Sequence, residues 1–560
     1  MRRLDALIAL LRGFLALLLL LSTPALAQGG GVVSAADPRA AEAGREMLRA
    51  GGNATDAALA MLVALTVVEP QSSGIGGGGF LVHHDAATGT IATIDGRETA
   101  PAAAIPERFL GPDGKPLPFL DAVVGGRSVG VPGNVALMAE AHRRWGKLPW
   151  KRLFDPAIRL AEQGYTVGPI LERSISSTSR LWTDLPEIRA LYEGKTVGTT
   201  IRNPALGRLL RRIANHGPKA FYTGKTARAI SKAVATAPRN PSALTLADLA
   251  NYRAIERPAQ CGRYRQWKIC SMGPPSSGAT TVLGILGMLQ RFDMKALGSR
   301  DPRAWHLIGE AMQLAYADRD LYLGDADFVS VPVAGLLDPN YLAERSALIS
   351  PDRALASYVP GVPPGAPART RAPEGKEQGT THFVATDRAG NVVSMTSTVE
   401  GPFGSQLIAE GMVLNNELTD FAFVPTRDSA PAANRVEPGK RPLSSMSPTI
   451  VYDEAGKPVL ALGSAGGKRI IMHVAKTLVG VLDWDLPPRE AIALPNLFFR
   501  GSSLLVEKGT MLETMTDDLV RMGHQVSVAE LGSKVNAVAW SPEGWKGAAD
   551  PRSEGVALEE

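Results

Sequence analysis

The chain has 560 residues, 45% of them hydrophobic, and a formal net charge of only +5. That is enough apolar material for one large layered domain or several smaller ones, and it excludes a disordered or fibrous chain. With no dense run of Lys or Arg, the small positive excess reads as a solvated surface and not as a nucleic-acid interface.

At the start, Arg2 and Arg3, the leucine-rich run at 15–21 and the small residues Ala25-Leu26-Ala27 have the layout of a secretory signal over residues 1–27. This predicts a periplasmic or secreted product. A membrane anchor is the competing reading, but Arg12 interrupts the apolar stretch and no later run approaches spanning length. Residues 40–48 and 54–67 read as Ala-rich helices, separated by the stop-and-start signal Gly51-Gly52-Asn53. The glycine run at 73–80 suits either an anion nest or a close approach of two backbones. His83-His84 and the other histidines lack HExxH spacing, so neither a metal nor any other cofactor is expected.

Gly126-Arg127-Ser128-Val129-Gly130 has the letters of a serine nucleophile elbow, but Pro132-Gly133 intervenes before the next helical segment, so a turn is expected. Thr223-Gly224-Lys225-Thr226 lacks the first glycine of a phosphate loop and reads as a helix start. Cys261 and Cys270 flank two short strand-like runs; a cross-hairpin disulfide and a pair of buried thiols both fit. Residues 303–322 carry apolar positions at helical spacing and predict an amphipathic core helix. The front two-thirds thus reads as mainly helical, and residues 359–379, rich in Pro, Gly and charge, as a flexible stretch.

From Thr380 the pattern changes. Residues 381–386 and 392–398 are strand-like and joined by a turn at 387–391; a second pair, 449–452 and 458–462, is followed by Gly466-Gly467 and a helix over 469–482. Helices on antiparallel sheets suggest a layered α+β sandwich. A hairpin centred on Ala389 sets Thr380 opposite Thr398, so that their hydroxyls could meet. If the chain is cut before Thr380, its new amino group can act as base for its own hydroxyl. Thr398 could orient that hydroxyl. Threonine pairs are also ordinary strand residues, so the spacing alone leaves both readings open.

Several motifs bear on the choice. Asp95-Gly96-Arg97-Glu98-Thr99-Ala100-Pro101, Thr380-Thr381-His382, Leu414-Asn415-Asn416-Glu417 with Asp420-Phe421, Arg441-Pro442-Leu443-Ser444-Ser445-Met446-Ser447-Pro448 and Gly463-Ser464-Ala465-Gly466-Gly467 resemble, in order and spacing, the motifs of gamma-glutamyltransferases. The resemblance runs from Gly31 through Pro274-Pro275-Ser276-Ser277-Gly278 to Ala549-Asp550-Pro551-Arg552. It implies a four-layer αββα sandwich of the N-terminal-nucleophile hydrolase kind, made as a precursor that cuts itself between Gly379 and Thr380. The large subunit would be residues 28–379 and the small one 380–560. Thr380 would be both processing and catalytic nucleophile, passing the glutamyl group of a donor such as glutathione to water, an amino acid or a peptide.

The same resemblance assigns Arg97, with Ser444 and Ser445, to the donor's α-carboxylate, and Glu417 and Asp420 to its α-ammonium. Gly466 and Gly467 become the oxyanion hole, which agrees with their place at a helix start. Two departures stand out: Glu400 replaces an asparagine common in the family, and residues 422–440 form a short segment without the tyrosine of a gating lid. A glutaryl or cephalosporin acylase of the same fold is the nearest rival, and a non-catalytic secreted binding protein a more distant one.

Overall fold

The computed structural model describes residues 30–368, 379–427 and 430–560. The expected signal lies outside them, as does part of the expected linker. In chain order the strands that position the site begin with β1 (Val32–Ala35), β2 (Gly78–Asp85), β3 (Thr90–Asp95), β4 (Ile255–Arg257), β5 (Gln260–Tyr264) and β6 (Trp267–Ser271). After residue 380 come β7 (Thr381–Thr386), β8 (Val392–Thr398), β9 (Thr449–Tyr452), β10 (Pro458–Gly463), β11 (Asn536–Ser541), β12 (Gly544–Ala549) and β13 (Val556–Glu559). The front part, though rich in helices, therefore supplies the expected strand pair β5 and β6 and four further strands, β1 to β4, that its helical reading passed over.

One sheet has the order β13-β1-β7-β8-β2-β3-β4 and the other β12-β11-β10-β9-β6-β5. They lie face to face: the Ser394 hydroxyl on β8 donates to the Leu462 carbonyl on β10 at 3.3 Å. Helices cover the outer faces. On one side are α1 (Pro38–Arg49) and α2 (Ala54–Val68), on the other α3 (Gly278–Leu289), α4 (Pro302–Tyr322) and α5 (Arg469–Leu482). The result is the expected αββα stack. Every residue of α2 is buried, as its unbroken run of Ala, Leu, Val and Met requires, and Asn53 with Asp56 closes its N-terminus in a capping box. Helix α4 is also enclosed on nearly all sides, so the amphipathic reading gives way to a fully buried helix that carries His306, Glu310, Asp318 and Arg319 inward.

The β7-β8 register pairs Thr386 with Val392 and Thr381 with Ser397, symmetrically about Ala389. Thr380 and Thr398 come next. The glycine run at 73–80 leads into β2, and it serves close packing: a Cβ on Gly77 would stand 2.0 Å from the Thr398 carbonyl oxygen, and one on Gly76 equally near that of Val413. Ser128 lies buried in a short turn with its hydroxyl on the Val123 carbonyl, and residues 224–235 are a plain helix, so neither short motif is a site. Cys261 and Cys270 face each other across β5 and β6 and are joined by a disulfide. Among the described residues no helix is long and apolar enough to cross a membrane.

Candidate active site

Thr380 sits at the mouth of β7, buried. Its hydroxyl donates to the Gly379 carbonyl oxygen and lies 3.3 Å from the Thr398 hydroxyl. Thr398 in turn accepts from the Glu400 amide at 2.8 Å and reaches the Gly379 oxygen at 3.4 Å. The Gly379 amide closes the ring by donating to the Glu400 carbonyl at 2.5 Å. Both atoms needed to open the 379–380 peptide bond, a hydroxyl and a donor to its carbonyl oxygen, thus meet at one point. Glu400 has φ 75°, in the left-handed region that favours glycine, and its two backbone bonds to this ring hold it there. Its carboxylate is buried and accepts from Asn416 Nδ2, so it does not turn out to a surface partner.

Asn416 leads to the second cluster. Its amide donates to the Val399 carbonyl at 3.1 Å, and the next residue, Glu417, is ion-paired with Arg97. Arg97 is 1% exposed. One Nη2–H goes to Asp420 at 2.5 Å and another to the Leu443 carbonyl at 2.9 Å, while Nε–H goes to the Pro442 carbonyl at 3.1 Å. With the bond to Glu417, four of its five N–H groups are engaged inside the protein, leaving one for an outside partner. Burial opposes the charge of Arg97, but Glu417 and Asp420 outweigh it and hold its pKa above the usual value. Tyr252 fixes the loop by donating to the Arg97 carbonyl at 2.7 Å.

Burial pushes the Glu98 carboxyl up to about 7 despite Arg97, and pushes Glu417 well up as well, with Glu98 adding to the effect. Near neutral pH the pair therefore keeps at least one of these carboxyls protonated. Glu417 is buried against the Glu98 and Asp420 carboxyls, so a proton can be shared among the three.

Ser444 and Ser445 are both buried. The Ser444 hydroxyl accepts from the Met446 amide at 3.2 Å, and the Ser445 hydroxyl from Arg319 at 2.8 Å. Each keeps its own hydrogen to donate, which is the polarity a bound carboxylate needs. Arg319 also donates to the Ser277 hydroxyl at 2.8 Å, and Ser277 holds the Ser444 carbonyl, so one arginine on α4 braces both serines. Neither Arg319 nor Glu98 was singled out as a site residue in the sequence. The signal for Arg319 was there, three consecutive charged residues, Asp318-Arg319-Asp320, near the end of a largely buried helix.

Gly466 and Gly467 have φ 125° and 61° and connect β10 to α5. Their carbonyls accept from Arg469 and Ile470. Among the described residues their own N–H groups donate to nothing. The turn leaves β10 at Gly463, which packs so closely on the His382 ring that a Cβ there would stand 2.4 Å from it, two residues from Thr380. Burial pushes His382 down to about 3, so its ring is neutral, and its Nδ1 lies 2.8 Å from the Thr396 hydroxyl.

The chain is similar to known proteins over most of its length. A family model described as gamma-glutamyltranspeptidase matches residues 40–559. The glutathione hydrolase proenzyme of Bacillus subtilis (strain 168) is 38% identical over 550 residues, spanning 94% of this chain and 91% of that protein. Among solved structures, a cephalosporin acylase from Bacillus halodurans superposes with a TM-score of 0.83 at 27% identity, covering 95% of this chain and 96% of its own. The gamma-glutamyltranspeptidase of Helicobacter pylori is 37% identical with a TM-score of 0.55, covering 58% of this chain and 93% of its own.

Proposed function

We propose, since the chain belongs to the gamma-glutamyltranspeptidase family, that it is a self-processed gamma-glutamyltransferase and glutathione hydrolase whose nucleophile is Thr380. The observation that carries this reading is the ring of Gly379, Thr380, Thr398 and Glu400 around the 379–380 peptide bond. The name proenzyme borne by the Bacillus subtilis relative agrees with it.

In the precursor, Thr380 Oγ1 attacks the Gly379 carbonyl carbon while Thr398 donates to the carbonyl oxygen. The C–N bond breaks, its nitrogen takes the hydroxyl proton, and water opens the resulting ester. Gly379 ends as a carboxylate and Thr380 as a free amine. In turnover that amine takes the proton from Oγ1, which attacks the donor's γ-carbonyl. The free N–H groups of Gly466 and Gly467 receive the oxyanion, a contribution worth about 3 kcal/mol per donor in comparable sites. The amine then protonates the departing nitrogen, and water or an acceptor amine releases the glutamyl group.

The donor's head fits the second cluster. Its α-carboxylate takes the remaining N–H of Arg97 with the hydroxyls of Ser444 and Ser445, and its α-ammonium takes Glu417 with Asp420. Glu400 adds a third buried carboxylate beside Asn416. Together they favour a cationic head over glutaryl, which has none, and so favour the transferase over an acylase. The expected result is a much higher kcat/KM for a chromogenic gamma-glutamyl anilide than for the matched glutaryl anilide, with the gap narrowed in Glu400→Gln. Equal or faster glutaryl cleavage by the wild type would overturn this assignment. The secretory reading of residues 1–27 places the enzyme in the periplasm or outside the cell, as two subunits, 28–379 and 380–560.

A further inference from the structure

A cavity of about 640 Å³ opens on the other side of Lys468, the residue after Gly467, with Tyr316, Tyr358, Phe498, Phe499 and His524 in its walls. His524 belongs to a cluster that the chemistry above does not use. His306 and Glu310 lie one turn apart on α4, hence on one face, and His524 meets them just ahead of the strand Gln525–Ala529. One ligand atom from each of the three falls within 4.8 Å of the others, and all three residues are buried.

The hydrogen bonds around the cluster fix its polarity. His306 Nε2 lies 2.8 Å from the Ser350 carbonyl, which can only accept, so Nε2 carries the hydrogen and Nδ1 offers its lone pair inward. That Nδ1 is 2.8 Å from His524 Nε2. Glu310 is oriented from behind by the Tyr358 hydroxyl and by the Leu355 amide at 3.0 Å, one on each oxygen. A histidine tied through its far nitrogen to a carbonyl, and a carboxylate tied to outer donors, are the supports that metal ligands require. An ordinary packed histidine pair needs none of the carboxylate side of this arrangement.

We propose that His306 Nδ1, His524 Nε2 and the Glu310 carboxylate form a binding site for a divalent transition metal, zinc by the two-imidazole, one-carboxylate donor set. The cation replaces the single hydrogen bond between the two rings. His524 gives up its Nε2 hydrogen and carries one on Nδ1 instead, so no net proton is lost. Bonds of about 2.0–2.1 Å in tetrahedral geometry need the two nitrogens about 3.3 Å apart, an opening of roughly half an ångström. Ligands at 306 and 310 precede the expected cut and the ligand at 524 follows it. If the cleavage proposed above occurs, the metal bridges the two subunits; the site itself does not depend on that cleavage.

The test is to treat the purified protein with a chelator, dialyse it, and titrate it with zinc chloride by calorimetry, with metal content read by mass spectrometry. One zinc per chain is expected for the wild type, with a rise in Tm. His524→Ala should bind at least about 100-fold more weakly and show no such rise. Glu310→Gln, which keeps shape and loses charge, serves as a second variant should His524→Ala not fold. Absence of stoichiometric uptake by the folded wild type, or unchanged affinity in a folded variant, overturns the proposal.

Discussion

Arg97 is held by four internal bonds, so a lysine in its place keeps the charge but not the planar fork that meets Glu417, Asp420 and two carbonyls at once. Arg97→Lys is expected to process normally, because the 379–380 bond carries no glutamyl head, yet to lose at least about tenfold in kcat/KM for a gamma-glutamyl anilide. Unchanged kinetics would make Arg97 a structural ion pair. Glu98 offers a different test. Its folded pKa of about 7 lies above its ordinary value, because burial disfavours the ionised form. Its contribution to stability is therefore fully present below about pH 4.5 and is lost as pH rises through 7. Glu98→Gln cannot ionise, so its Tm should fall less steeply than that of the wild type between pH 5 and 8; parallel curves would remove Glu98 from this role. The family's motifs made Arg97, Glu417 and Asp420 legible in the sequence, but neither their pairing nor the neighbouring Glu98 and Arg319. Arg97 and Glu417 are 320 positions apart, and no local periodicity reports that they share a buried contact.

The β7-β8 hairpin was legible because its pattern is local: two β-branched runs around one turn determine the register, and the register determines that Thr380 meets Thr398. β2 was not. Its opening glycines carry no side chains to alternate, and their role appears only where Gly77 passes the Thr398 carbonyl. Helix α4 was placed within a residue, but its enclosure was missed, since a helix buried by layers distant in sequence looks the same as one with an exposed face. The close passage of β2 has a consequence at Gly77. A methyl there meets backbone that cannot rotate away, so Gly77→Ala should cost about 3 kcal/mol and displace Thr398 from the ring that surrounds the scissile bond. A lower Tm together with slower appearance of fragments on a denaturing gel is the expected pair of results; normal processing would show that the hairpin tolerates the shift.

At the scale of the whole molecule, the expected subunits interleave. Strand β1 lies between β13 and β7, β2 pairs with β8, and β6 pairs with β9, so both central sheets contain strands of both fragments. Cutting after Gly379 should leave them associated: they should elute together in size exclusion and separate only in strong denaturant. Elution as separate fragments in native buffer would contradict the placement of these strands. The central claim is that Thr380 makes this cut and thereby frees the amine it uses in turnover. Intact-mass analysis of the purified protein tests it most directly, with Thr380→Ala beside the wild type. The account predicts a wild-type small fragment beginning at Thr380 and a mutant that remains one inactive chain; a mutant cleaved at the same bond, or an uncut wild type that still hydrolyses gamma-glutamyl amides, would contradict it.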